Sequence, residues 1–278
     1  MRKLNIVAVL ITCHNRKEKT LNCLNALYDS ELKSNFSFEV FLVDDGSIDG
    51  TGEAVKLAYP DVNLINGDGS LYWNRGMFKA WEFASNKRKF DYYIWLNDDT
   101  MIFEHALELA FKESEKENNN SVIVGATCNE NMTITTYGGW GKGKLLLING
   151  KSQICEYFNG NFVLIPDYVF NKLGNLNYRY RHTNGDFDYA YRAREKGIKS
   201  VLLPDYVGTC ERDKNTLVCF DPKVSLFKRI KLFYSPIGKN PFEFFYFNFR
   251  YKGILVAFRI FLSNHLRVLF PSFFLKKY

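Results

Sequence analysis

The sequence predicts an α/β protein: one mostly parallel, twisted sheet with helices on both faces, followed by a basic, aromatic helical extension. Three observations predict it. Short apolar runs rich in β-branched and aromatic residues alternate with helical patterns over residues 5–126, as in strand–helix–strand units. Three of those runs end in polar clusters, "TCHNRKE", "VDDGSIDGT" and "NDDT", and sheets of this kind bind ligands beyond the carboxyl ends of their strands. Charge is also segregated. Residues 222–278 carry 11 Lys+Arg against the single acid Glu243, whereas residues 1–221 hold 26 Lys+Arg and 29 Asp+Glu.

The elements follow in order. Asn5–Ile11 reads as the first strand, and Leu21, Leu24 and Tyr28 mark the apolar face of the helix after it. Phe38–Val43 is the second strand, Thr51–Ala58 a short helix and Val62–Ile65 a third strand. Met77, Ala80, Trp81 and Ala84 recur at helical spacing. Tyr92–Leu96 is the fourth strand, Glu104–Glu117 a charged helix and Val122–Ala126 another strand. Past residue 130 the regularity weakens. "YGGWGKGK" reads as a Gly-rich loop around Trp140, Phe162–Ile165 as a strand, and Pro166–Leu173 as a short helix ending at Gly174. "GDFDYAYRAREKG" reads as a helix from about Asp186 with Gly197 beyond its end. Ile198–Leu203 is the last strand, stopped by Pro204.

Composition narrows the class. A chain that is 46% hydrophobic and 24% charged is globular rather than disordered. The six cysteines include no Cys-x-x-Cys pair, which argues against a zinc knuckle. The opening "MRKLNIVAVLITCHNR" has an apolar run too short to span a bilayer and no small-residue cleavage site. It reads as a strand in a protein of the reducing cytoplasm, so the sequons at Asn35, Asn119 and Asn131 are expected to be chance matches. "LLLINGKS" has Leu145 where a phosphate-binding loop needs its first Gly, and no strand is followed by Gly-x-Gly-x-x-Gly.

Asp44, Asp45, Asp98 and Asp99 are expected to crowd one rim of the sheet. Each cluster alone would pass for a turn, but together they need a divalent cation or ligand donors to relieve their repulsion.

"ITCHNR", "VDDGSIDGT", "LNDDT" and "GDFDYAYRAREKG", in that order over residues 5–205, resemble family 2 of the inverting nucleotide-sugar glycosyltransferases, which have the GT-A fold. That fold is a single Rossmann-like sheet. "GDGSLYWNRGMFKAW" is similar to the bacterial surface-polysaccharide branch of the family. The resemblance implies that Thr12, His14, Arg16, Asp44 and Asp45 line the nucleotide pocket, with Asp44 accepting from a pyrimidine N–H. Asn97-Asp98-Asp99 stands at the family's DXD motif, with Asn in place of the first Asp. Asp98 is then expected on the ribose, Asp99 on Mg²⁺ or Mn²⁺, and Arg75 near the base or diphosphate. Asp186 matches the catalytic base, and Gly185 stands where the family has Glu. Trp73, Trp140 and Asp188 are candidate sugar or acceptor contacts, Trp140 being favoured by its neighbouring glycines. Asp186, starting a helix, is expected to be held ionised by the helix dipole. Asp188 should point about 200° away from it.

The implied activity is inverting transfer from a UDP- or dTDP-linked sugar to a lipid-linked saccharide, in capsule or O-antigen synthesis. Residues 1–220 form the transferase domain (1–100 the nucleotide half, 101–220 the acceptor half), and 221–278 a membrane-associating extension. That extension pairs basic residues with Phe, Leu and Ile, as interfacial helices do, and no apolar run in it is long enough to span a bilayer. It is expected to bind an anionic membrane surface at the inner face of the cell membrane, with residues 242–251 about equally placed to pack on the body. No nucleic-acid module is recognisable. Two alternatives stay open: a catalytically impaired scaffold, given Asn97 and Gly185, and a sugar nucleotidyltransferase, which would need a Gly-rich basic loop after the first strand.

Overall fold

A computed structural model describes residues 5–31, 36–212 and 218–274. The sequon at Asn35 and the basic Lys276 and Lys277 of the extension lie outside the described residues. The first half runs β1 (Asn5–Cys13), α1 (Lys17–Glu31), β2 (Phe36–Asp44), α2 (Thr51–Ala58), β3 (Asn63–Asn66), α3 (Tyr72–Lys87) and β4 (Tyr92–Leu96). Then come β5 (Met101–Ile102), α4 (Ala106–Lys116), β6 (Val122–Cys128), β7 (Thr135–Tyr137), β8 (Gly139–Gly141), β9 (Lys144–Leu145), β10 (Gln153–Cys155) and β11 (Tyr157–Phe158). β12 (Phe162–Pro166), α5 (Asp167–Leu173), α6 (Gly185–Glu195) and β13 (Ser200–Thr209) complete the body. The extension holds α7 (Leu226–Tyr234), α8 (Pro241–Lys252), α9 (Ile254–Leu269) and α10 (Pro271–Phe274).

The main sheet has the order β10-β13-β6-β12-β4-β1-β2-β3. β1 pairs in parallel with β2 and β4, and β2 with β3. β12 runs antiparallel between β4 and β6. Central strands buried on both faces read as unbroken apolar runs, and β4 is buried along its whole length. Register then builds the site. Cys13 lies opposite Asp44, and Phe162, the first residue of β12, opposite Leu96. The carboxyl ends of β1, β2 and β4 therefore share one edge with the start of β12. On one face α3 buries Met77, Ala80, Trp81 and Ala84, and Trp81 packs against Trp95 at 5.6 Å between ring centroids.

Two boundaries differ from the sequence expectation. "YGGWGKGK" is not a loop: Trp140 pairs with Leu145 and with Tyr157 in a small three-stranded sheet. Gly138 and Gly143 take the positive φ angles of 155° and 73° its turns require. β13 also continues through Pro204. Its pairing with β6 shifts register between Leu202 and Tyr206, and such an irregularity tolerates a residue without an N–H.

α8 packs on the body. Arg181 Nε donates to Glu243 Oε1 at 2.7 Å, Tyr191 meets Tyr251 at 4.6 Å, and Arg179 lies 3.9 Å from the Tyr246 ring centre. α9 packs on α8 through Phe245 and Phe258. Among the described residues no helix is long and apolar enough to cross a membrane.

Candidate active site

Beyond β2, a cleft of about 740 Å³ is lined by Asp44, Ser47, Gly52, Lys56, Leu57, Leu64 and Asn66 among others. The Ser47 N–H donates to Asp44 Oδ1 at 3.0 Å. Oδ2 faces Gly52, where a Cβ would stand only 2.6 Å away, so that glycine keeps the carboxylate accessible.

Asp45 has a different task. Its carboxylate accepts from the N–H groups of Gly69, Leu71 and Tyr72 at 2.8, 3.0 and 2.9 Å. It is buried and organises the loop entering α3 rather than facing a ligand. His14 donates through Nδ1 to the Asp45 carbonyl at 2.6 Å, and its Nε2 accepts from Asn15. Thr12 lies beneath Gly76 of α3, where any side chain would strike its hydroxyl. Arg75 Nε donates to the Tyr178 carbonyl at 3.0 Å and its guanidinium lies over the Tyr178 ring, which ties α3 to the segment before α6.

At the end of β4, Arg16 Nη1 donates to Asp98 Oδ1 at 3.1 Å and to Asp99 Oδ2 at 2.8 Å. Burial pushes the Asp98 carboxyl up to about 7, against the pull of Arg16 and with the help of Asp99. Asp98 Oδ2 is buried with no hydrogen-bond partner, an expensive state for a charged oxygen. The Cys210 thiol donates to Asp99 Oδ1 at 3.5 Å. Burial, then Asp99, pushes that thiol up to about 12, so it stays neutral. These hard oxygen donors fit Mg²⁺ or Mn²⁺. Among the described residues no group of three His, Cys, Asp or Glu could hold a metal alone. Mg²⁺ bound through one or two carboxylates would take its other ligands from water and from phosphates.

Asn97 fills the first position of the motif. Its Oδ1 accepts the Trp73 indole N–H at 2.7 Å, and its backbone N–H donates to the Asn161 carbonyl at 3.0 Å. Trp73 in turn lies against Gly160, where a Cβ would collide with the indole. The Gly160 N–H donates to Asp186 Oδ2 at 3.2 Å. One short segment, Gly160-Asn161, thus joins Asp186 to the Asn97–Asp99 turn.

Asp186 is half-buried by surface area, but protein surrounds its carboxyl group. That desolvation pushes its pKa up to about 7, against the N–H groups of Phe187 and Gly160. The expectation of a low pKa is overturned, because burial outweighs the helix dipole. Asp188 lies 2% exposed and accepts from Arg192 Nε at 2.9 Å and Tyr251 Oη at 2.8 Å. It braces α6 against α8 and makes a poor sugar contact. Gly185 has a steric cause: a Cβ there would collide with Asn74 of α3, so a Glu has no room. Trp140 stacks on Tyr157 at 5.9 Å, and Tyr157 meets Phe187 at 4.8 Å. This aromatic wall beside Asp186 includes two residues, Tyr157 and Phe187, that sequence reasoning passed over. The Gly160-Asn161 segment was also missed, although "FNGN" carries a turn signal.

Solved structures share the fold at low sequence identity. The mannosyltransferase PcManGT from Pyrobaculum calidifontis, in complex with GDP-Man and Mn²⁺, superposes with a TM-score of 0.58 at 15% identity, covering 98% of this chain and 74% of that one. S. aureus TarS 1-349 gives 0.56 at 14% identity, covering 74% of this chain and 59% of that one. Among curated proteins none matches. The sequence profile described as Glycosyl transferase family 2 matches residues 8–174, and with the motifs and sheet edge above this places the chain in glycosyl transferase family 2.

Proposed function

We propose that the chain is an inverting glycosyltransferase. It moves a sugar from a UDP- or dTDP-linked donor to a hydroxyl of a lipid-linked saccharide, in bacterial capsule or O-antigen synthesis. The observation that carries the reading is the Gly160-Asn161 segment, which contacts Asn97 on one side and Asp186 on the other. A donor-binding turn and a carboxylate able to change protonation near neutrality are thereby held in one rigid unit.

In this mechanism Asp44 accepts from the base, and Asp98 meets the ribose. Asp99 would hold Mg²⁺ or Mn²⁺, which supplies Lewis-acid neutralisation of the departing diphosphate. Asp186 takes the proton of the attacking hydroxyl, a role worth about 10²–10⁴-fold. Trp140 and Trp73 border the sugar and acceptor. Attack from the face opposite the leaving group inverts the anomeric carbon in one displacement.

The membrane half of the proposal rests on α9. Its inner face buries Ala257, Asn264 and Val268, while Leu255, Leu262, Leu266 and Leu269 are exposed on the outer side. An exposed apolar stripe on a helix that also carries basic residues fits a lipid interface. Arg259 borders that outer stripe, and both Arg259 and Arg267 are exposed. Glu243, the one acid of residues 222–278, is buried against Arg181, so nothing acidic opposes an anionic bilayer. Peripheral attachment at the cytoplasmic face would bring a lipid-linked acceptor to the site.

The test is a donor screen with Mn²⁺, using UDP- and dTDP-linked rhamnose, galactose and glucose and a lipid-linked acceptor, read by product mass. Neither transfer nor donor hydrolysis with any of them would leave the impaired-scaffold reading in its place.

A further inference from the structure

We propose that Arg16 is a built-in counter-cation for the Asp98–Asp99 pair, which holds the metal position closed until a nucleoside diphosphate arrives, so that divalent cation and nucleotide bind cooperatively. The inference rests on the reading of Asp99 as the metal ligand.

The geometry carries it. One guanidinium nitrogen, Nη1, bridges the two carboxylates at 3.1 and 2.8 Å. Among the described residues, no other cation is ion-paired to either. A divalent ion approaching the same oxygens would meet a positive charge already hydrogen-bonded to them. Even with both carboxylates ionised, the guanidinium leaves a net charge of only −1, so a dication added alone makes the cluster positive.

The backbone under Arg16 is pinned. Asn15 sits at a positive φ of 52°, its N–H donates to Ser47 Oγ at 2.9 Å, and its Oδ1 accepts from the Ile48 N–H at 2.8 Å. On the other side the Lys17 N–H donates to Asp49 Oδ2 at 3.1 Å. Only the Arg16 side chain is left to move, and it is 45% exposed. It stands at the junction of the cleft beyond β2 and the turn beyond β4, where a nucleotide in that cleft would extend its diphosphate. A diphosphate offers a guanidinium a better partner than two shared carboxylate oxygens, because phosphate accepts from its planar fork bidentately. As Arg16 turns to the diphosphate, Asp98 and Asp99 lose their counter-charge at the moment a dication can supply it. The nucleotide thereby favours the metal, and by linkage the metal favours the nucleotide equally.

The test measures Mn²⁺ binding by the loss of the free-ion EPR signal, with and without UDP or dTDP, corrected for the nucleotide alone. The proteins are the full wild-type chain, Arg16→Gln, which loses the charge but keeps donors, and Arg16→Lys, which keeps the charge. The wild type should bind Mn²⁺ weakly alone and at least about fivefold more tightly with nucleotide, within the usual range of coupling between sites. Arg16→Gln should bind Mn²⁺ alone at least about fivefold more tightly than wild type and show less coupling, while Arg16→Lys should behave like wild type. If Arg16→Gln binds Mn²⁺ alone no better than a wild type that does bind it with nucleotide, the counter-cation role is wrong and the metal reading survives. If no protein binds Mn²⁺ even with nucleotide, the metal reading falls and takes this inference with it.

Discussion

The indole N–H of Trp73 donates to Asn97 Oδ1 at 2.7 Å, so the residue that replaces the first acid of the family motif positions an aromatic ring instead of adding a third charge. Trp73→Phe keeps the ring against Gly160 but strands a part-buried acceptor. That should cost about 1–3 kcal/mol, or roughly 2–10 °C in Tm for a chain of this size. Loosening the floor beside Asp186 should also lower kcat about tenfold. A variant with wild-type melting and turnover would show the hydrogen bond to be idle.

Asp186→Asn should lower kcat by at least about 10² with little change in donor affinity. Asp188→Asn should cost less in turnover and more in stability, because Asp188 is the buried partner of Arg192 and Tyr251. Steady-state kinetics, donor binding and thermal melts on both variants separate the roles. Wild-type turnover in Asp186→Asn would remove the base from the mechanism.

The raised Asp186 pKa gives a signed pH dependence. A base must be ionised, so kcat/KM should climb as pH rises through about 7 and level off above it. The residual activity of Asp186→Asn should lack that limb. A profile flat from pH 5 to 8 in the wild type would contradict the burial that raises this group.

Asp99→Ala should abolish metal-dependent transfer while leaving the fold intact, since its side chain is 20% exposed and the one buried group it contacts is the weak Cys210 thiol donor. Excess chelator should do the same to the wild type. Full activity in chelator would show that the diphosphate is neutralised by protein cations alone.

For the membrane, truncation near residue 220 is a poor experiment, because it would also remove α8 from Tyr180, Arg181 and Tyr191. Leu262→Glu and Leu266→Glu change only exposed positions. Together they should cut binding to anionic vesicles by at least about tenfold, each replacing a buried-in-lipid Leu by a charge. Sedimentation with unaltered binding would move the contact elsewhere.

The first half of the fold was readable because strong periodicity and register coincide there. Thr51–Ala58 and Tyr92–Leu96 fall where the apolar pattern puts them. Legibility failed where pairing depends on distant segments. Trp140 lies in a central strand because Tyr157, 17 residues on, pairs with it on the side away from Leu145, and β13 outruns Pro204 because β6 offers a partner past the irregularity. In the site, the motif carboxylates were visible as residue types. Their division of labour was not, because Asp44 and Asp45 differ only in which backbone N–H groups reach them. The pKa of Asp186 was misjudged because helix position is local and burial is not.

The clamp between Glu243 and Arg181 gives the chain a chronology. The strands leading into Asp44, Asp98 and Asp99 are made early, since β1, β2, β3 and β4 lie within the first hundred residues. The segment that steadies the loop into Asp186 is α8, which leaves the ribosome after every strand of the sheet. Folding during synthesis proceeds from the N-terminal end. A nascent chain whose sheet is already complete therefore still lacks the brace for its proposed base, and the acceptor half of the site is the last part to be steadied.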